Sequence, residues 1–433
     1  MKTEKTLSYR YVICSTVFIG YILVFFHRLC PAVIALEMQQ TFGISGALLG
    51  VLASAYFYPY ALMQIPAGLL ADSWGPRKTI TVFFLLATAG SLLMALSPNI
   101  SVAILGRVLT GLGVSTLFVS NFKLLAEWFD PREFTIMGGI FLALGGVGAL
   151  FASVPLAWVS NLIGWRMTLV AVGGVTLIMA LLIYLFVRNS PADMGLPPIG
   201  RLRTIDSTGA VRLPQGIKMV LTSPCFWPLP VWSFCSAGIS FALGGLWGGP
   251  YLIHTYGLSK TTASQVLSMF AAALIIGSPL SGWAANHMGR KPLLILSSLV
   301  LTFVCLIFYA FPAGLSLWLL YCLHFLFFLS SSASAQVANA ACKEQFPVAM
   351  AGTAIGTLNI FPFAGGAFFQ ILAGSLLTAG GRVGTAYSLA GYRNMFLLFL
   401  AASVISLVAS FLVKETLVRE KAIPLQFKLS ERK

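Results

Sequence analysis

Charge is scarce in this chain of 433 residues: Asp, Glu, Lys and Arg make up 9% of it, and only 12 residues are acidic. A soluble domain carries roughly a quarter charged residues, so a chain that is 58% hydrophobic and this poor in charge has lipid as its solvent. Acids are also missing from inside the apolar runs. Glu37 and Asp72 stand at the ends of runs, not inside them. The 7 cysteines are scattered without C-x-x-C spacing, which excludes a disulfide framework or zinc-type metal site and leaves them as small buried hydrophobes. There is no H-E-x-x-H, no pair of membrane carboxylates and no nucleophile motif, so an intramembrane enzyme is the weakest reading, and no cofactor is expected. No stretch joins a charged leader, a short apolar core and a small-residue cleavage site, so the first apolar run is expected to act as its own insertion signal.

What is abundant is long apolar sequence. A helix needs about 20 apolar residues to cross a bilayer. Such runs fall near 11–35, 47–70, 78–96, 101–125, 134–158, 166–187, 227–250, 261–283, 291–311, 315–340, 349–373 and 394–413. The twelve divide six and six around one long polar connection. The expected organisation is therefore an all-α membrane protein with a first bundle over 1–187, a linker over 188–225 and a second bundle over 226–433 ending in a basic tail.

The net charge of +15 is topological. The bases form no patch beside exposed aromatics, which argues against nucleic acid. With both termini in the cytoplasm, most of the 27 Lys and Arg fall on cytoplasmic segments. Only Arg166, Lys260, Arg382 and Arg393 fall outside, and Arg28, Arg107 and Lys123 fall within spans. That asymmetry gives the expected orientation.

Between the second and third runs stands Gly68-Leu-Leu-Ala-Asp72-Ser-Trp-Gly75-Pro76-Arg77-Lys78. It returns between the eighth and ninth as Gly282-Trp-Ala-Ala-Asn286-His287-Met-Gly289-Arg290-Lys291. Phe42-Gly43-Ile44-Ser45 before the second run is likewise mirrored by Tyr256-Gly257-Leu258-Ser259 before the eighth. Two copies in equivalent places imply a duplicated machine whose ligand meets the two halves near the bilayer midplane. Gly138, Gly139, Gly145, Gly146 and Gly148 in the fifth run, and Gly352, Gly356, Gly365 and Gly366 in the eleventh, are spaced for close helix packing.

The paired loops resemble the signature of the major facilitator superfamily, Gly-x-x-x-Asp-x-x-Gly-(x)-Arg-Lys/Arg. Here Pro76 is inserted and Asn286 replaces the second acid. The resemblance implies a twelve-helix secondary transporter working by alternating access, with these loops as a cytoplasmic latch resting mainly on Asp72. The fifth-helix antiporter signature of the family is not matched; the nearest proline is Pro155. The stretch Asn189-Ser-Pro-Ala-Asp193-Met-Gly195-Leu-Pro197-Pro198 is similar to the one after the sixth helix in organic-anion and organophosphate branches.

A charge inside the bilayer costs at least about 3 kcal/mol, so the ionisable residues in the spans carry the information. Arg28 lies ~25 Å along the first helix and shares a face with Tyr21 and Phe25, at successive offsets of four and three. A guanidinium forks onto carboxylate or phosphate and stays charged everywhere, so Arg28 reads as an anion anchor. The alternative is snorkelling toward the outer interface with Glu37. The position resembles the first-helix arginine of organophosphate carriers, which pair it with a second arginine in the seventh helix. Here Phe241-Ala-Leu-Gly244-Gly-Leu-Trp247 holds no base, which suits a singly charged, carboxylate-type substrate.

Arg107 opens Arg107-Val-Leu-Thr-Gly111-Leu-Gly113, similar to the family's fourth-helix Arg-x-x-x-Gly-x-Gly, where arginine is structural or coupled to proton movement. His324 precedes Phe346 by the same count as Arg107 precedes Phe129, which makes it the repeat partner. It is a proton site or a neutral packing histidine. Lys123, ~24 Å beyond Arg107, binds an entering anion or snorkels at the mouth. Tyr56, Tyr60 and Gln64 recur every four residues; Asn359, Phe363 and Gln370 share a face of the eleventh helix; Ser331, Ala335 and Asn339 run below His324; and Trp232, Ser236 and Trp247 complete the expected cavity wall. With no midplane carboxylate, coupling to H+ or Na+ falls to His27, Glu37 or His324, or to the substrate, or gives way to exchange or uniport. The expected protein is a monomer in a bacterial inner membrane moving a small organic anion. The alternatives are a multidrug or amphipathic-compound exporter and a transporter-like ligand sensor.

Overall fold

A computed structural model of the chain describes residues 2–196, 213–333, 335–347 and 350–417. Pro197 and Pro198, the linker bases Arg201, Arg203 and Arg212, and the basic tail beyond Leu417 lie outside the described residues. Ten described helices are long and apolar enough to cross a membrane, and a pair bent by 58°, Gly46–Leu62 with Pro66–Trp74, makes another. One of the ten, Ile136–Phe186, runs 51 residues, more than twice what one crossing needs. It is broken at Gly164, whose φ of 76° favours glycine, and so holds the fifth and sixth spans. The fold is thus all-α with twelve spans in two six-helix bundles, apart from a two-residue ladder in which Arg382 pairs with Tyr387 and Val383 with Ala386.

Two expected boundaries shift, both at prolines. The first span ends at Leu29, and Pro31–Phe42 continues as a separate helix. The second span breaks before Pro66. A proline has no N–H to bond the carbonyl four residues back, so the helix opens there.

The duplication is visible in local geometry. Gly43 and Gly257 both turn at positive φ, 60° and 63°, and the Ser45 and Ser259 hydroxyls then accept from the Leu48 and Thr262 amides to start the second and eighth spans. The signature loops match as well. Gly75 (φ 81°) and Gly289 (φ 109°) make the sharp turn, while Gly282 has open space around it and needs no close approach. The first turn of the third span is capped by Asn189, whose Oδ1 accepts from the Arg77 amide at 2.9 Å. The first turn of the ninth is capped by Glu415, whose two oxygens accept from the Arg290 and Lys291 amides at 3.0 Å each.

Desolvation pushes the Glu415 carboxyl up, but four amides, those of Leu417, Arg290, Lys291 and Thr416, together outweigh it and hold the group below the usual carboxylate range. A depressed carboxylate contributes its stabilisation above the ordinary carboxylate pKa and loses it as pH falls through the lowered value. Protection of the Arg290 and Lys291 amides, read as exchange relative to the intrinsic rate at each pH, is therefore expected to persist above the ordinary carboxylate range and to fall once the pH drops below the lowered value, with Glu415→Gln weakly protected throughout.

The two ends of the molecule differ. At the end bearing the Arg382–Tyr387 hairpin, the bundles are bonded to each other. Lys260 pairs with Glu37 and reaches Ser160 at 2.7 Å. Tyr387 bonds Gln39, the Ala47 amide donates to Thr378 at 3.2 Å, and Arg382 donates to the Ile44 carbonyl at 3.5 Å. The second span lies so close to the eleventh that a Cβ on Gly50 would stand 2.6 Å from the Gln370 carbonyl oxygen, and one on Gly374 2.3 Å from that of Gly46. At the signature-loop end, the described ion pairs stay within a bundle: Asp72 with Lys123, Arg10 with Glu133, Arg290 with Glu344.

The expected close packing holds for some of the glycines and not for others. Gly146 and Gly366 do meet the other bundle, but Gly145 and Gly148 pack on the first span and Gly365 on the seventh, each inside its own bundle. Gly139, Gly352 and Gly356 face open space. Close crossings between the bundles also stand at Gly46, Gly50 and Gly374, and at Gly249, where a Cβ would lie 2.0 Å from the Ala32 carbonyl oxygen.

Candidate functional site

Between the bundles, on the signature-loop side of that seal, lies a cavity of about 120 Å³. Tyr21, Phe25 and Arg28 line it from the first span, Tyr60 and Gln64 from the second, Asn339 from the tenth, and Asn359 and Phe363 from the eleventh. A larger hollow of about 500 Å³ among the first, fifth and sixth spans is walled by apolar side chains and one threonine, and offers nothing to orient a polar ligand.

Arg28 is 3% exposed. Its guanidinium carbon sits 4.5 Å from the Phe25 ring centre, 4.9 Å from Tyr60, 5.0 Å from Phe363 and 5.5 Å from Phe241, so each bundle gives it two rings. Its Nε has no hydrogen-bond partner among the described residues. No described acid pairs with it. Glu37 is held by Lys260 across the seal, which removes the snorkelling partner the sequence offered. Four ring faces stabilise the cation by about 0.5–2 kcal/mol each, but none supplies a negative charge.

Other expected residues stand outside the cavity wall. Tyr56 lies one layer behind, its hydroxyl donating to the Val24 carbonyl at 3.3 Å and its ring 4.7 Å from the Arg107 guanidinium. Trp247 is fully buried and donates to the Gln370 carbonyl at 2.9 Å, tying the seventh span to the eleventh. Trp232 turns to Ser298 on the ninth span at 2.8 Å. Of the expected coupling residues, His27 faces the sixth span. The Thr176 hydroxyl donates to Val172, so it accepts from His27 Nε2 at 3.0 Å. His324 Nδ1 donates to the Leu320 carbonyl at 2.8 Å among Phe308 and Phe328. Lys123 holds Asp72 at 2.6 Å, so base and signature acid occupy each other at the mouth.

Arg107 has a structural task. Pro31 cannot donate to the His27 carbonyl, and Arg107 Nη1 does so instead at 2.6 Å, with Nη2 reaching the Arg28 carbonyl at 3.4 Å. Without Arg107 the His27 carbonyl keeps only the weak Cys30 thiol at 3.6 Å, and a buried carbonyl so poorly met costs about 1–3 kcal/mol. Arg107→Met is expected to lower stability by about that much, and by roughly 1 kcal/mol less in a Pro31→Ala background, where the missing amide returns. Thermal unfolding of the four variants in detergent checks the cycle.

A family model for the Major Facilitator Superfamily matches residues 17–369 and 233–430. The chain belongs to that superfamily. Among its curated relatives is a D-galactonate transporter of Escherichia coli O6:H1, 24% identical over 294 residues that make 65% of this chain and 68% of the relative. A probable hexose phosphate transport protein of Chlamydia pneumoniae is 22% identical over 425 residues, 94% of this chain and 91% of the relative. Among solved structures, a bacterial homolog of the human lysosomal transporter Spinster, inward-facing and unoccupied, is similar with a TM-score of 0.78 at 18% identity, over 94% of this chain and 96% of that one. At that identity the likeness speaks for the fold alone. This superfamily member is a multi-pass membrane transporter and not an enzyme.

Sequence reasoning missed part of the superfamily member's cavity. Phe241 and Phe270 from the second bundle, Phe118 and Leu142 from the first, and Gln336 beside Asn339 all line it. The signal for Gln336 was present, since it sits three residues, just under one turn, before Asn339 on the same helix. The apolar walls carried none, because a phenylalanine facing a cavity and one facing lipid look alike in sequence.

Proposed function

We propose that this transporter moves a small organic anion, of carboxylate type and singly charged, across a bacterial inner membrane by alternating access. The observation that carries the reading is Arg28: a deeply buried guanidinium at the head of a cavity, ringed by aromatics from both bundles, with no described acid to balance it. Charge balance at such a site is met by the ligand. The relative named as a D-galactonate transporter supports a carboxylate. The seventh span faces the site with Phe241 and no second base, which supports one negative charge rather than two. The cavity is well below the ~300–1,000 Å³ of drug-sized pockets, which favours a small anion over an amphipathic drug.

The signature loops carry Arg77, Lys78, Arg290 and Lys291, so in this reading their end and both termini face the cytoplasm, and the sealed hairpin end faces outward. The conformation described above is then inward-facing. With no acid lining the cavity and both buried histidines turned away, coupling rests on exchange or on a proton carried by the substrate.

Counterflow in proteoliposomes tests the proposal. A labelled small carboxylate is expected to accumulate against unlabelled carboxylate in the lumen. Binding without exchange would favour a sensor, and exchange of cationic amphiphiles alone would favour an exporter; either result overturns the reading.

A further inference from the structure

The hairpin that seals one end rests on a histidine. His254, in the last turn of the seventh span, places Nδ1 2.8 Å from the Tyr392 hydroxyl and 3.4 Å from the backbone nitrogen of Tyr387. A backbone N–H can only donate, so Nδ1 carries a lone pair and the proton of the neutral ring is on Nε2. Tyr387 is also the hairpin's main reach across the interface. Its hydroxyl bonds Gln39 and lies against Gly46, where a Cβ would stand 2.7 Å from it. Its ladder partner Arg382 lies over the Tyr387 ring at 5.2 Å and donates to the Ile44 carbonyl. A strap of six residues thus touches the first bundle at Gln39, Ile44 and Gly46 while leaning on one imidazole lone pair.

We propose that protonation of His254 releases this strap and unlocks the hairpin end. The imidazolium presents an N–H at Nδ1 to the N–H of Tyr387, donor against donor. It also sets a positive charge beside the Tyr387 ring, 5.6 Å away, over which the Arg382 guanidinium is stacked. The other groups around it do not offset this. The twelfth span brings Tyr392 and Arg393, the latter over Tyr309. The histidine's own helix brings Tyr251 and Tyr256, which bond each other at 3.3 Å. The eighth span brings Lys260, and the Pro31–Phe42 helix brings Glu37, which is already paired with that lysine. The Tyr392 hydroxyl can turn to accept the new proton, but the strap's amide has no such freedom. Acid at this face thereby favours the state in which the hairpin end is open, whatever the ligand.

The test uses the full chain in nanodiscs with Cys225 and Cys322, the exposed cysteines among the described residues, replaced by serine. Spin labels go on Asn161→Cys and Trp318→Cys, one in each bundle at the hairpin end. Between pH 8 and pH 4 a longer distance is expected to grow from a minor population of roughly 1–10% to the majority. His254→Gln keeps an acceptor for the Tyr387 amide but does not titrate, so it is expected to hold the short distance throughout. Tyr387→Phe, which leaves His254 in place, is expected to raise the open population at pH 8 and shrink the pH response, and it serves if the glutamine variant fails to fold. An unchanged distance across the pH range in the parent, or acid opening in His254→Gln equal to the parent, overturns the proposal.

Discussion

Arg28→Ala is expected to weaken anion binding by roughly 100-fold, about 3 kcal/mol, while the ligand-free protein keeps its thermal stability to within about 1 kcal/mol. The first part follows from the fork. A carboxylate bound by a buried guanidinium gains charge-assisted hydrogen bonds, each worth about 1.5–3 kcal/mol, and no other described base lines the cavity to replace them. The second part follows from the missing acid. A cation kept out of water without a counter-ion is paid for by the fold, here offset by four ring faces, so its removal takes away a cost and a gain of similar size. A purely structural arginine would give the opposite pattern, with lost stability and no change in ligand response. Arg28→Lys keeps the charge but not the planar fork and should fall between parent and alanine. Ligand-induced thermal shifts and counterflow read both quantities; equal shifts in parent and Arg28→Ala would refute the anchor.

Gly50→Ala is expected to force the hairpin end open and to reduce transport by at least tenfold. The added methyl would stand 2.6 Å from the Gln370 carbonyl oxygen and 3.0 Å from the Ile371 Cα, both in the backbone of the opposite bundle. No side-chain rotation relieves contacts with a main chain, so the bundles must part there. Overpacking of this kind costs about 1–3 kcal/mol, and only the sealed state bears it, which shifts the two-state balance by roughly 10- to 100-fold. The same spin-label pair would lengthen at neutral pH. An unaltered distance distribution, with transport intact, would mean that the second and eleventh helices do not gate this end.

The parts of the fold legible in the sequence were those encoded locally. Run length gave twelve spans, and the repeated Gly43-Ile44-Ser45 and Gly257-Leu258-Ser259 gave the duplication because a left-handed glycine and a serine cap need no partner from elsewhere. Pro31 also announced a break locally, yet its consequence was hidden. Which side chain would serve the freed His27 carbonyl depends on the fourth helix crossing the first, so Arg107 could be read only as structural or coupled to proton movement, with no named partner. The site was half visible for the same reason. Arg28 stood out because a buried charge is rare in lipid and Phe363 because it shares a helical face with Asn359, whereas Phe241 closes over the guanidinium from a helix whose approach no helical period specifies. Trp247 was misjudged because an indole in a polar-spaced row faces a cavity or a neighbouring backbone with equal ease, and here it bonds Gln370. Gly46 and Gly50 carried the small-residue spacing of the glycines that were singled out, but spacing alone does not say which helix comes close.

Asn189 and Glu415 each stitch the exit of one half of the chain to the head of that half's own third helix. Each set of six rods is thereby laced shut on itself.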